Sequence, residues 1–140
     1  MDLSNRSMTK FWNTWQSRVL ALLRIIVGFL IFWHGTQKLF GFPPPAQTGR
    51  DPLSGLLLIA GILEFAGGAF LMLGLWTRWS AFLLSGMMAV AYWMVFGGKS
   101  LLPIVNGGEI AVLYCFVFFY LFFAGGGTWD LDSYIKRRRN

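Results

Sequence analysis

The sequence predicts an all-α integral membrane protein, a four-helix bundle with both termini in the cytoplasm. Three observations predict it. The 140 residues are 56% hydrophobic and 18% aromatic but only 13% charged, against about 25% charged in an average soluble domain. Four apolar stretches, at about residues 18–39, 54–76, 79–96 and 108–124, approach or reach the roughly 17 to 25 residues of helix that cross a hydrocarbon core. Basic residues gather at the ends of these stretches. The formal net charge of +6 therefore reads as a topology signal and not as a nucleic-acid footprint. A membrane barrel would show alternating strands of about ten residues instead. Nothing remains to build a second domain, so residues 1–140 are expected to form one transmembrane domain in a multi-pass membrane protein.

The first stretch, 18–39, runs into His34 and Lys38 and stops at the turn "GFPPP". A secretory signal peptide is the rival reading. Its apolar core would contain Arg24, no A-x-A cleavage site follows, and three further spans do. The second stretch, 54–76, follows Arg50-Asp51-Pro52, carries Glu64 as its mid-span acid and ends at Thr77-Arg78. The third, 79–96, is broken by the glycines and Pro103 of 97–107, and the fourth, 108–124, begins at Glu109 and ends in "AGGG". Counting lysine and arginine places nine of the twelve on the side of the two termini and Arg78, and leaves Lys38, Arg50 and Lys99 on the other. That bias predicts cytoplasmic termini and an external loop after the first span. Trp12, Trp15, Trp33, Trp76, Trp79 and Trp129 fall near span ends, where an indole is half in lipid and half wet. The closing "IKRRRN" reads as a stop anchor with affinity for anionic lipid.

Charge inside the spans is the informative feature, because an ionisable group at mid-membrane costs about 2.5 to 3.5 kcal/mol on insertion scales. At 100° per residue, Arg24, Gly28, Ile31, Gly35 and Lys38 share a narrow arc with His34 on its flank. On the second span Glu64 shares a face with Ala60, Gly61, Gly67 and Gly68, which predicts a close helix seam. The fourth span puts Glu109, Phe116 and Tyr120 on one face. Depth counted at about 1.5 Å per residue pairs Lys38 with Glu109 at the outer edge and lets Arg24 reach toward Glu64, with His34 as a competing neighbour. The sharper expectation is a polar cavity between the first, second and fourth spans, lined by Arg24, His34, Lys38, Glu64, Glu109 and Tyr120. The blander one is a structural ion pair that fixes helix register.

Four motifs in order, "RIIVGFLIFWHGTQKLF", "AGILEFAGGAFLMLGLWTR", "NGGEIAVLY" and "AGGGTWDLD", resemble the DoxX family of small four-helix bacterial inner-membrane proteins. The resemblance extends from about residue 18 to 132. It places the family's polar positions on Arg24, His34, Lys38, Glu64 and Glu109, without making any of them catalytic. Family members are similar to the membrane subunit of an archaeal thiosulfate:quinone oxidoreductase, and a mycobacterial relative is linked to a complex handling thiol and oxidative stress. The resemblance implies a membrane subunit of a quinone-linked redox system, with quinone or a similar apolar molecule as ligand and oxidoreductase subunits as partners. One histidine and one cysteine cannot supply a haem pair, a cluster or a copper site, so no metal and no intrinsic cofactor is expected. If an enzyme, the protein is an oxidoreductase subunit that borrows its redox centre. The other reading is a non-catalytic structural or assembly protein of such a complex. The glycine faces suggest a homodimer.

Overall fold

A computed structural model describes residues 3–44 and 55–139, with the side chains of 8–44 and 55–138. Every regular element among them is helical: α1 Leu3–Phe40, α2 Gly55–Leu73, α3 Thr77–Ala91 with a π-helical turn Tyr92–Phe96, α4 Pro103–Asn106, α5 Glu109–Ala124 and α6 Leu131–Arg139. Three helical segments are long and apolar enough to cross a membrane, Met8–Phe40, Gly55–Leu73 and Thr77–Phe96, and α5 is a shorter apolar helix. The protein is thus an all-helical membrane bundle of three to four apolar helices. The proline-rich loop from Pro45, with Arg50, lies outside the described residues.

Two boundaries depart from the sequence reading. α1 starts at Leu3 rather than near residue 18, because 3–17 contains neither glycine nor proline to stop it. Its 38 residues rise about 57 Å, well beyond a hydrocarbon core of about 30 Å, so one end of α1 stands as an arm outside the core. The tail after residue 124 folds into a further helix, α6, preceded by a turn with glycines at positive φ (Gly125 φ 83°, Gly127 φ 72°), a conformation that glycine adopts without penalty.

Helix α1 packs on α2, α2 on α3 and α3 on α5. The buried apolar core is small, built on Val27, Ile31, Leu71, Ala81, Leu84, Met88, Phe118 and Leu121. Many large apolar side chains, among them Phe29, Leu30, Ile59, Leu113 and Phe116, face outward. Lipid solvates such a surface as well as a protein core does, so helix association here depends on close fit. The α1–α2 seam shows that fit. Gly28 and Gly35 on α1 and Gly61 and Gly68 on α2 recur at seven-residue spacing. A Cβ on Gly68 would stand 2.8 Å from the Phe32 nitrogen and from the Gly28 carbonyl oxygen. One on Gly35 would meet the backbone of Phe65, with its Cα at 2.7 Å. The arc of Arg24, Gly28, Ile31 and Gly35 is the buried face of α1.

At the end of the bundle where α3 gives way to α5, the chain is stitched by one buried amide. Asn106 Nδ2 donates to the Tyr92 hydroxyl oxygen at 3.0 Å and to the Ser100 carbonyl at 2.8 Å, and its Oδ1 accepts from the Gly108 amide at 2.7 Å. The Ser85 hydroxyl joins α3 to α5 by donating to the Cys115 carbonyl at 2.9 Å.

Gly35→Ala pushes a methyl into backbone that cannot yield as a flexible side chain would, at an overpacking cost of about 1 to 3 kcal/mol. Gly86, with nothing within 4 Å of an added Cβ, is the control. Unfolding in detergent is expected to show Gly35→Ala clearly destabilised and Gly86→Ala unchanged or stabilised.

Candidate functional site

The antiparallel seam fixes which polar groups can meet. Gly35 lies against the backbone of Glu64 and Phe65, and Gly28 lies against Leu71 and Met72. Arg24, one turn before Gly28, is therefore level with the last turn of α2, whereas Glu64 lies seven residues, about 10 Å, further along the axis. The expected approach of Arg24 to Glu64 does not occur. Arg24 is fully buried and donates to backbone carbonyls only: Nη1 to Leu71 and, at 3.3 Å, to Met72, Nε to Gly126 at 3.0 Å and Nη2 to Trp129 at 3.1 Å.

This one guanidinium ties α1 to the Leu71 and Met72 carbonyls at the end of α2, the first of which also accepts from the Gly74 amide at 3.2 Å, and to the 125–130 turn. Asp130 and Asp132 act electrostatically on it as countercharges, and each also caps a helix. Asp132 Oδ1 and Oδ2 accept from the amides of Trp76 at 3.0 Å and Thr77 at 3.2 Å, at the start of α3. Asp130 Oδ2 accepts from the amide of Ser133 at 3.3 Å and its hydroxyl at 3.0 Å, at the start of α6. Arg78 does the complementary task at the end of α5, its Nη1 donating to the Phe122 and Phe123 carbonyls, both at 2.7 Å. A side chain at Gly74 (φ 69°) would collide with Arg24 Nη1 at 2.6 Å and with the Asp130 Cα at 2.7 Å, so glycine is required there on two counts.

The opposite rim carries the other polar group. Lys38 Nζ pairs with Glu64 Oε1 at 2.5 Å, the Glu64 side chain being 3% exposed and that of Lys38 30%. The expected pairing of Lys38 with Glu109 is replaced by this one, because the glycine seam brings Gly61 against Lys38 and Leu39. The second carboxylate oxygen of Glu64 has no hydrogen-bond partner among the described residues. His34 is exposed but within electrostatic range of Glu64. Glu109 is exposed in the first turn of α5, where a negative charge suits the helix dipole.

Tyr120 lies at the basic rim, 55% exposed, and Phe116 on the same face of α5 is 65% exposed. That face turns outward rather than toward α1 and α2. The six expected site residues therefore form no single cavity: Arg24 and Tyr120 belong to one rim, His34, Lys38, Glu64 and Glu109 to the other.

A cavity lies at the basic rim. It measures about 1120 Å³ and opens between the arm of α1, the α2–α3 turn, the end of α5 and α6. Its walls carry Trp12, Trp15, Trp76, Trp79 and Tyr120, with Arg78 and Lys136 as cations and the backbone of Gly125 to Gly127. Val19 and Leu20 line it on the α1 side. Aromatic bodies with polar tips give a cavity that accepts an apolar molecule and can still donate hydrogen bonds to it. The sequence reading missed Asp130, Asp132 and Arg78 as its builders. The signal was the run "AGGGTWDLD", where three glycines precede two acids spaced to cap two helices.

The fold and this rim define a small helical membrane protein whose C-terminal turn closes one end of the bundle around a buried arginine. The DoxX family model matches residues 19–97. A Haemophilus influenzae protein described as uncharacterized is 42% identical over 118 residues, covering 81% of this chain and 88% of its own. The chain belongs to the DoxX family. No solved structure matches it.

Arg24→Leu removes four donated bonds; the Leu71 carbonyl keeps the Gly74 amide, while the part-buried carbonyls of Met72, Gly126 and Trp129 lose a donor, each at a cost of up to about 1 to 3 kcal/mol. It is expected to lower the unfolding midpoint in detergent more than any neutral change on the lipid face. Lys38→Met alone leaves a buried unpaired carboxylate and is expected to cost about 3 to 5 kcal/mol, while Lys38→Met with Glu64→Met together restores most of that loss. Unfolding of the two single variants and the double variant checks this.

Proposed function

We propose that the protein is a membrane subunit of a quinone-linked redox system of the bacterial inner membrane, with the basic rim and both termini cytoplasmic and α5 as a fourth crossing. The observation that carries the reading is the aromatic cavity of about 1120 Å³ at the basic rim, a little larger than the roughly 300 to 1,000 Å³ of small-molecule sites. A quinone fits its chemistry. The indoles of Trp12 and Trp79 offer faces to a ring, and Val19 and Leu20 offer an apolar path for a prenyl tail. The Tyr120 hydroxyl, Lys136 and the Nε and Nη2 of Arg78 offer donors to the two carbonyl oxygens. Family membership supports the redox link. A bound quinone would supply electron acceptance. The chain's own part is to hold and orient the ring, exclude water from its apolar side and donate protons or hydrogen bonds at the oxygens. Electrons would come from a partner oxidoreductase subunit at the same rim.

The glycine faces that suggested a homodimer are occupied by the α1–α2 seam within one chain, so nothing in the reading requires a second copy.

Mass spectrometry of quinones extracted from the purified protein tests the proposal. Ubiquinone or menaquinone is expected in the wild type. Tyr120→Phe, which removes one hydrogen bond, is expected to lower occupancy about fivefold, and Trp79→Ala to lower it at least as much. Glu64→Gln, on the opposite rim, is expected to leave occupancy unchanged in folded protein. Bulk phospholipid alone in every sample would overturn the quinone reading in favour of the assembly role. Depletion by Glu64→Gln, with Tyr120→Phe silent, would move the ligand to the other rim.

A further inference from the structure

Beside the aromatic cavity lies a second one of about 510 Å³, formed where the 125–130 turn meets Ser17 of α1 and the first two turns of α6. The residues it does not share with its neighbour are Thr128, Trp129, Tyr134 and Arg137. We propose that this cavity holds the phosphate of an anionic phospholipid, with Arg137 as the phosphate ligand and Trp129 and Tyr134 flanking the glycerol and upper acyl chain.

Of the two acids nearest the site, Asp130 lines the cavity with Ser133 and Asp132 lies outside its lining. Asp130 Oδ2 accepts from Ser133, both oxygens of Asp132 cap α3, and both carboxylates face the buried Arg24 guanidinium. The cations are not so committed. Arg137 makes no ion pair among the described residues, Lys136 precedes it, and Arg138 follows with its guanidinium 5.0 Å from the Tyr134 ring centroid. Arg137 is the cation of the cavity lining, with Lys136 and Arg138 next to it in sequence and Asp130 as the acid of the same lining, and a guanidinium is the cation whose planar fork best matches a phosphate.

The apolar side chains of the same surface are only partly covered by protein. Trp129 is 67% exposed, Tyr134 53% and Ile135 40%. On α6, Leu131, Tyr134 and Ile135 share one face, with Arg138 among them and its guanidinium over the Tyr134 ring, so apolar side chains and a long cationic stem lie together, as suits a helix at a membrane interface. The Trp129 carbonyl accepts from Arg24 and its φ of 63° is in the left-handed region, so the Arg24 clamp fixes the backbone from which the indole projects. An exposed apolar face beside an uncommitted cation suits a molecule with an anionic head and apolar chains. A soluble anion would use only half of it.

The full-length protein, reconstituted in nanodiscs of equal phosphatidylglycerol and phosphatidylcholine and released for native mass spectrometry, tests the assignment. Retained lipid is expected to be enriched in phosphatidylglycerol. Arg137→Gln, an exposed change that leaves the fold intact, is expected to reduce that enrichment about fivefold, the attraction of one basic residue to an anionic surface. Lys10→Gln, exposed on the arm of α1 and outside both cavities, is expected to leave it unchanged. Equal loss in the two variants would show diffuse surface charge and overturn the site. Phosphorus NMR in detergent with inorganic phosphate is the second arm. Phosphate binding that depends on Arg137, without any phosphatidylglycerol enrichment, would make the free anion the ligand and overturn the lipid assignment.

Discussion

The buried guanidinium of Arg24 is the contact on which the basic end of the molecule depends. A charged side chain in the body of a membrane bundle is tolerated only where its donors are answered, and here the answers are four backbone carbonyls from two segments distant in sequence. Two of these carbonyls belong to the last turn of α2, where a helix end in an apolar setting must find partners, and Arg24 shares the Leu71 one with the Gly74 amide. The other two belong to a turn that has no regular structure of its own. Arg24 thus converts a flexible glycine run into a fixed wall. Asp130 and Asp132 reinforce it by providing negative charge and by fastening the starts of α6 and α3. Both cavities use that wall.

The seam between α1 and α2 sets the rest. Because backbones touch at Gly28, Gly35 and Gly68, the two helices cannot slide without a clash, and their register decides every polar meeting along them. It puts Arg24 at the end of α2 and Lys38 at Glu64. One ionic element lies near each rim, with an apolar core of Val27, Ile31 and Leu71 between them. The Lys38–Glu64 pair, with Lys38 partly exposed, pins the upper part of the seam. The Arg24 clamp fixes the turn that walls both cavities at the other end.

Much of the fold was legible in the sequence because membrane spans are written in composition and length. The face carrying Arg24, Gly28, Ile31 and Gly35 followed from helical periodicity, and the glycine-rich face of α2 followed the same way. Pairing across helices did not. Depth counted from guessed span ends carries an error of a turn, and a turn is enough to give Lys38 the wrong acid and Arg24 a partner it cannot reach. Backbone carbonyls are invisible to a search for charged partners, so the true acceptors of Arg24 had no signature. Tyr120 and Glu109 share a helical face as expected, but periodicity does not say whether an apolar helix turns a face to protein or to lipid. α5, apolar on every side, gave no clue. The capping acids sat in a quoted motif whose geometry required the folded turn to read.

Photoaffinity labelling with an azidoquinone, followed by peptide mapping in membranes, tests most directly whether the rim assembled by Arg24 is the ligand-bearing one. Labels on the arm of α1 near Trp12 and Trp15, on Trp76 to Trp79 and around Tyr120 are the predicted result. Labels confined to the neighbourhood of His34, Lys38 and Glu64 would contradict the account and return the site to the opposite rim.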